Sequence, residues 1–134
     1  MGPWIRHYMS GYRGECPWCA GFVSSILNQA SESLGIEQPM AASDSCSGLA
    51  NNAKKKGLFL SERALLADKN KLKPGYIFLD REFPGHWTHT GIVIDVDDEI
   101  IFTIEGNTND EGGSDGYEVC RRIRNYESKD FIIV

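Results

Sequence analysis

The 134-residue chain has no apolar run near the ~20 residues that a membrane-crossing helix needs, so no membrane span is expected. Nor does "MGPWIRHYMSGYRG" hold the apolar stretch of a secretory signal, which makes cytoplasmic synthesis the expectation and leaves any work outside the cytoplasm to some other delivery. Gly2 follows Met1 as in a myristoylation start, but Pro3 and Arg6, where Ser or Thr is wanted, spoil that pattern. Positive charge is the scarcer sign, 14 Lys and Arg against 19 Asp and Glu for a net −5, and no stretch interleaves basic with aromatic residues; both speak against a nucleic-acid partner. Lys54, Lys55 and Lys56, the only basic run, read as the last turn of a helix whose dipole favours cations. The four cysteines, at positions 16, 19, 46 and 120, lack the paired spacing of a disulfide scaffold, so reduced thiols are expected. No repeat, low-complexity segment or linker interrupts the chain. What is present, 41% hydrophobic and 25% charged residues, suffices for one domain over 1–134 with its own core, expected to be a monomer.

Phe22, Val23, Ile26, Ala30 and Leu34 recur at helical spacing from Cys19, with Pro17 suited to the first turn and Gly35 to the C-terminal cap. A second helix is expected from about Asp44 to Lys56, with Leu49 and Ala53 inward and Gly57 ending it. After the turn signal "KLKPG" the pattern changes to strands at Tyr76–Leu79, Thr90–Val96, Ile100–Glu105, Tyr117–Arg124 and Phe131–Val134. Helices followed by antiparallel strands predict an α+β domain with a sheet of about five strands. The polar, glycine-rich stretch "EGNTNDEGGSDG", residues 105–116, reads as a long loop, of a kind that borders functional sites or simply connects a hairpin.

The chemistry concentrates in "ECPWCAGFVSSIL", residues 15–27, whose two cysteines support three readings: a redox dithiol, half of a zinc site, or one catalytic thiolate. The redox reading wants a strand before Cys16, and "YMSGYRGE" has no strand pattern. The zinc reading gains His86 and His89 from "HWTH", a Cys₂His₂ set, but the long gap between the pairs is outside finger spacing. His86 is expected in a loop and His7 on the surface; Cys46 and Cys120 are expected to be structural, as small buried thiols commonly are.

The catalytic reading draws on "HTGIVIDVDDEIIFTIEGN", residues 89–107, which reads as a hairpin. Ile92, Ile94 and Val96 share one face of its first strand, and Ile100, Phe102 and Ile104 one face of its second. Matching these faces requires paired numbers with an even sum. A sum of 194 sets His89 opposite Glu105, and 196 sets it opposite Asn107; a bulge would flip the faces. A cysteine nucleophile needs a base, a group orienting that base and a field favouring thiolate. His89, then Glu105 or Asn107, and the helix beginning near Cys19 supply these three.

"PWCAGFV" opening a helix, "HTGIV" opening a strand and "IEGNT" ending the next strand together resemble the CHAP family, the cysteine- and histidine-dependent amidohydrolase/peptidases, over most of the chain from Trp4 to Val134. The resemblance implies a papain-like α+β fold, N-terminal helices packed on a twisted antiparallel sheet, and hydrolysis of amide bonds in peptidoglycan, as in phage lysins and bacterial wall hydrolases. It casts Cys19 as nucleophile, His89 as base, Glu105 as the orienting residue and Asn107 as an accessory polar position, with wall peptides as partner. Trp18 and Trp87, flanking Cys19 and His89, are expected either to wall the substrate cleft or to pack in the core. Some relatives carry an acidic calcium loop before the nucleophile; "GYRGECPW" has only Glu15, so no metal or other cofactor is expected. Relatives often have Asp after the "PG" turn, where this chain has Tyr76. A CHAP-like module that only binds wall peptides is the rival from another class, and a complete Cys19, His89, Glu105 set speaks against it.

Overall fold

A computed structural model of the chain describes residues 19–108 and 117–134. Helices α1 (Cys19–Leu34) and α2 (Cys46–Lys55) come first, followed by β1 (Phe59–Leu60), α3 (Glu62–Ala67) and a 3₁₀ turn at Lys69–Lys71. The rest is sheet: β2 (Ile77–Phe83), β3 (His86–Asp97), β4 (Ile100–Thr108), β5 (Tyr117–Asn125) and β6 (Lys129–Ile132). The strands form one antiparallel six-stranded sheet in the order β1-β6-β2-β3-β4-β5. The fold is therefore α+β, with a sixth strand beyond the five expected. β1 was missed because two residues carry no alternation, and α3 because six are too few for a helical stripe.

Local chemistry explains the helix limits. Ser45 caps α2 by accepting the Gly48 N–H at 2.8 Å, and Ser61 caps α3 by accepting that of Ala64 at 3.1 Å. At the other end of α2, Gly57 takes a left-handed φ of +71°, which lets the Leu58 N–H return to the Ala53 carbonyl at 2.9 Å and close the last turn.

Alternation along the central strands builds two cores. Ile77, Leu79 and Ile132 pack under α1 and α2 with Phe22, Val23, Leu49 and Ala53. The intervening Phe78 and Phe131 point to the opposite face, where they join Val93, Ile101, Leu65 and Leu72. With both faces covered, register is firmly set, since a slip of one residue would exchange the two cores.

Register shifts in both strand pairs of β3 adjust that pairing next to the chemistry. Between β2 and β3 the pairing shifts after Asp80↔His89 to Arg81↔Trp87. Between β3 and β4 it runs Ile92↔Ile104 and Val93↔Thr103, then shifts to Asp95↔Phe102 and Val96↔Ile101. The expectation that Ile92, Ile94 and Val96 share one face is overturned: beyond the bulge Val96 joins Val93 in the second core, and Ile94 turns outward, 36% exposed. His86, expected in a loop, opens β3 instead, with its ring stacked on Phe83 at 4.8 Å. Of the loop 105–116, residues 109–116 lie outside the described residues, as do Cys16, His7 and Trp18.

Candidate active site

Cys19 heads α1 as described, buried to 2% exposure among Ala20, Val23, Cys46 and Leu49. His89 lies on β3 at the bulge, with 18% of its side chain exposed, and is the member of the group that meets solvent. Glu105, on β4, is fully buried. Its Oε1 bonds the Nε2 of His89 at 2.6 Å, which leaves Nδ1 as the ring nitrogen for the thiol.

The β3–β4 pairing at this end has partner numbers summing to 196, the register expected to put His89 across from Asn107. Glu105 nevertheless holds the histidine, because two long side chains bridge the diagonal between neighbouring strands. Asn107 sits on β4 paired with Glu118 of β5.

A buried carboxylate must be matched by donors or it will take up a proton. Glu105 is matched on every side. Arg124, from β5, donates Nε to Oε2 at 2.5 Å and Nη2 to Oε1 at 2.6 Å, a bidentate clamp. Thr103 donates its hydroxyl to Oε2 at 2.6 Å. Burial pushes the Glu105 carboxyl up, but Arg124, His89 and Thr103 together outweigh it and hold it at about 2. Arg124 lies in turn over the Phe78 ring, 5.5 Å from its centroid.

Gly91 makes room for the arrangement. A Cβ there would stand 2.6 Å from Phe78 Cε1, 2.7 Å from Glu105 Cγ and 2.9 Å from the Ile104 carbonyl oxygen, so any larger residue displaces the carboxylate or the ring beneath it.

The titration of the site follows from these partners. Burial alone would lower the imidazole, yet its bonds to Cys19 and Glu105 prevail and raise it to about 9. The Cys19 thiol falls from its ordinary value to about 5, first through a hydrogen bond with Cys46, against the cost of burial, and further through the His89 ring and a backbone hydrogen bond at Thr90. Cys46 moves the other way: its bond to Cys19, burial and the charges of Cys19 and Asp80 all keep it protonated. At neutral pH the arrangement therefore favours Cys19 thiolate beside His89 imidazolium.

Sequence reasoning missed Arg124, Thr103, Gly91 and Cys46 as members of this group. Cys46, expected to be merely structural, lies with its sulfur 3.7 Å from that of Cys19. It is brought there by Ser24 of α1, which donates to the Ser43 carbonyl at 2.8 Å and accepts the Ser43 N–H at 3.1 Å, pinning the approach to α2. Trp87, considered as a cleft wall, is a core residue, 5% exposed. Its indole N–H donates to Asp130 at 2.8 Å, and its ring packs edge-on against Phe59 with the Lys54 ammonium above it. The bulge before His89 places Trp87 and His89 in different surroundings despite their two-residue separation.

Among the described residues, no three His, Cys, Asp or Glu side chains converge as a metal site, and no helix is long and apolar enough to cross a membrane. His86 lies 3.6 Å from Glu82 instead. No family model matches the chain, and no curated protein or solved structure matches it.

Proposed function

We propose that the protein is a cysteine-dependent hydrolase of amide bonds in bacterial peptidoglycan, an N-acetylmuramoyl-L-alanine amidase or endopeptidase, on a papain-like fold of the CHAP kind. The observation that carries this reading is the fully buried Glu105, fixed by Arg124 and Thr103, holding Nε2 of His89 at 2.6 Å while the Cys19 thiol is lowered beside that same ring. A module that only binds has no use for an activated thiol. The wall peptide as substrate rests on the resemblance of "PWCAGFV", "HTGIV" and "IEGNT" to that family.

In this mechanism the Cys19 thiolate attacks the amide carbonyl and the oxyanion is received by backbone N–H groups at the head of α1, including that of Cys19. His89 imidazolium then gives its proton to the leaving amine, and the thioester forms. Neutral His89 next takes a proton from water, which attacks the thioester and frees Cys19. Glu105 keeps the ring oriented through both steps and offsets its positive charge. Arg124 keeps Glu105 ionised.

Incubation with purified peptidoglycan, followed by mass spectrometry of soluble fragments, tests the reading. New amino termini should appear with the wild type and be missing with Cys19→Ala, and the fragment masses identify the bond. Intact peptidoglycan after incubation with folded wild-type protein would overturn it.

A further inference from the structure

The Cys19–Cys46 pair is more than the hydrolytic mechanism needs. Two thiols 27 residues apart in sequence are buried together with their sulfurs 3.7 Å apart, one at the head of α1 and the other on the first residue of α2. Attack on an amide calls for one sulfur only. The second is close enough that a bond between them needs a shortening to ~2.05 Å, a movement on the scale of a side chain. Of the two, only Cys19 has a histidine and a backbone donor favouring its thiolate; Cys46 is held protonated. An ionised sulfur beside a protonated one is the arrangement of a peroxide-reactive thiol with its resolving partner.

We infer that Cys19 and Cys46 form a reversible oxidative switch, in which a peroxide oxidises Cys19 and Cys46 captures the product as an internal disulfide. In the first step the Cys19 thiolate attacks one oxygen of hydrogen peroxide and the O–O bond breaks. Cys19 becomes a sulfenic acid, and the other oxygen leaves as hydroxide and is protonated to water. In the second step the Cys46 sulfur attacks the sulfenic sulfur, the S–O bond breaks, and the departing hydroxyl leaves as water with the Cys46 thiol proton. Peroxide has been reduced by two electrons and the two thiols oxidised to one disulfide. The oxidised protein has no nucleophile, and its sulfur is shielded from the irreversible sulfinic and sulfonic stages. A dithiol reductant restores both thiols.

The switch depends on the thiol pair and not on peptidoglycan being the substrate, so its test reads the sulfurs directly. Full-length protein is treated with a small excess of hydrogen peroxide, remaining thiols are alkylated, and disulfide-linked peptides are mapped without reduction. A Cys19–Cys46 link should dominate and disappear after dithiothreitol. Cys46→Ser, whose hydroxyl can still donate to the Cys19 thiolate, should instead accumulate Cys19 sulfinic and sulfonic acid at least ~10-fold faster than the wild type, and Cys46→Ala, which loses that donor, should form no internal link at Cys19. A dominant Cys16–Cys19 link, or over-oxidation of Cys19 as fast in the wild type as in Cys46→Ser, would overturn the inference. Formation of the link in a protein that leaves peptidoglycan intact would sink the hydrolase reading and leave the switch standing.

Discussion

Two buried carboxylates in this sheet have nearly the same construction and different consequences. Asp130, on β6, accepts Arg81 at 2.7 Å and the Trp87 indole at 2.8 Å on one oxygen, and the backbone N–H of Glu62 at 2.9 Å on the other. Glu105, on β4, accepts Arg124, Thr103 and His89. Each is paired with an arginine from a neighbouring strand, and each accepts protein donors on both of its oxygens. The difference lies in the third partner. Every donor to Asp130 keeps its proton over the ordinary pH range, and Arg81 also bonds Glu62 at 2.7 Å, so the group fastens α3 to the sheet. Glu105 has one donor that titrates, the His89 ring, partly exposed and beside a thiol. One group is a fastening and the other a proton device. What separates them is a single exchangeable proton, not burial or charge.

The sharpest way to test that contrast is to remove the thiol. Cys19→Ala should lower hydrolysis by at least ~10³-fold with the fold unchanged, measured as fragment release alongside circular dichroism. Asp130→Asn should do the reverse, lowering the denaturation midpoint while the folded fraction keeps its specific activity within about twofold. Comparable activity losses in the two variants would erase the distinction.

Arginine removal comes next in size. Arg124→Met strands a buried carboxylate and should cost about 3–5 kcal/mol in urea unfolding, with activity falling as well. Arg81→Met should cost less, about 1–3 kcal/mol, because Asp130 retains the indole and backbone donors. The opposite ranking would mean that Glu105 is protonated and the clamp is not ionic.

Glu105→Gln should keep the fold and reduce kcat by at least ~10-fold, since the imidazolium loses its counter-charge. The same variant should narrow the pH profile. In the wild type the reactive pair needs ionised Cys19 and protonated His89, so activity should rise with pH near about 5 and fall near about 9. Without the carboxylate, which helps to raise the imidazole, the alkaline limb should move to lower pH. An unmoved limb would shift the orienting role away from Glu105, with Asn107→Ala as the next variant to measure.

The smallest effect is expected at Gly91. An alanine there meets Phe78 and Glu105 inside 3 Å, and should cost about 1–3 kcal/mol while also lowering kcat, because the displaced groups belong to the site. A loss of stability with kcat intact would show that the crowding is relieved through Phe78 alone.

The parts of the site legible in the sequence were those whose residue type and local context carry the chemistry: a cysteine heading an amphipathic stretch, and a histidine and glutamate on strands of one hairpin. Cys46 was not legible because its place depends on how α1 packs against α2, fixed by the Ser24–Ser43 bonds. Arg124 was hidden because it reaches Glu105 from β5, a strand separated from β4 in the sequence by the polar residues 109–116. Trp87 was ambiguous because an indole suits a cleft or a core equally, and only Asp130, 43 residues away, decides for the core. In the hairpin, one extra residue after Val93 changed which apolar side chains share a face, and alternation alone cannot locate such a bulge.

The central claim is that Cys19 is ionised at neutral pH by its neighbours, and an ultraviolet titration of thiolate absorbance reads this directly, without requiring reagent access to a buried sulfur. Between about pH 3 and pH 8, below the ordinary thiol range of ~8.5, the wild type should gain one thiolate with a midpoint near about 5. The step should be absent in Cys19→Ala, move upward in His89→Ala and stay in place in Asp130→Asn. A wild-type protein whose thiols all titrate in the ordinary range, with no step that Cys19→Ala removes, would contradict the account.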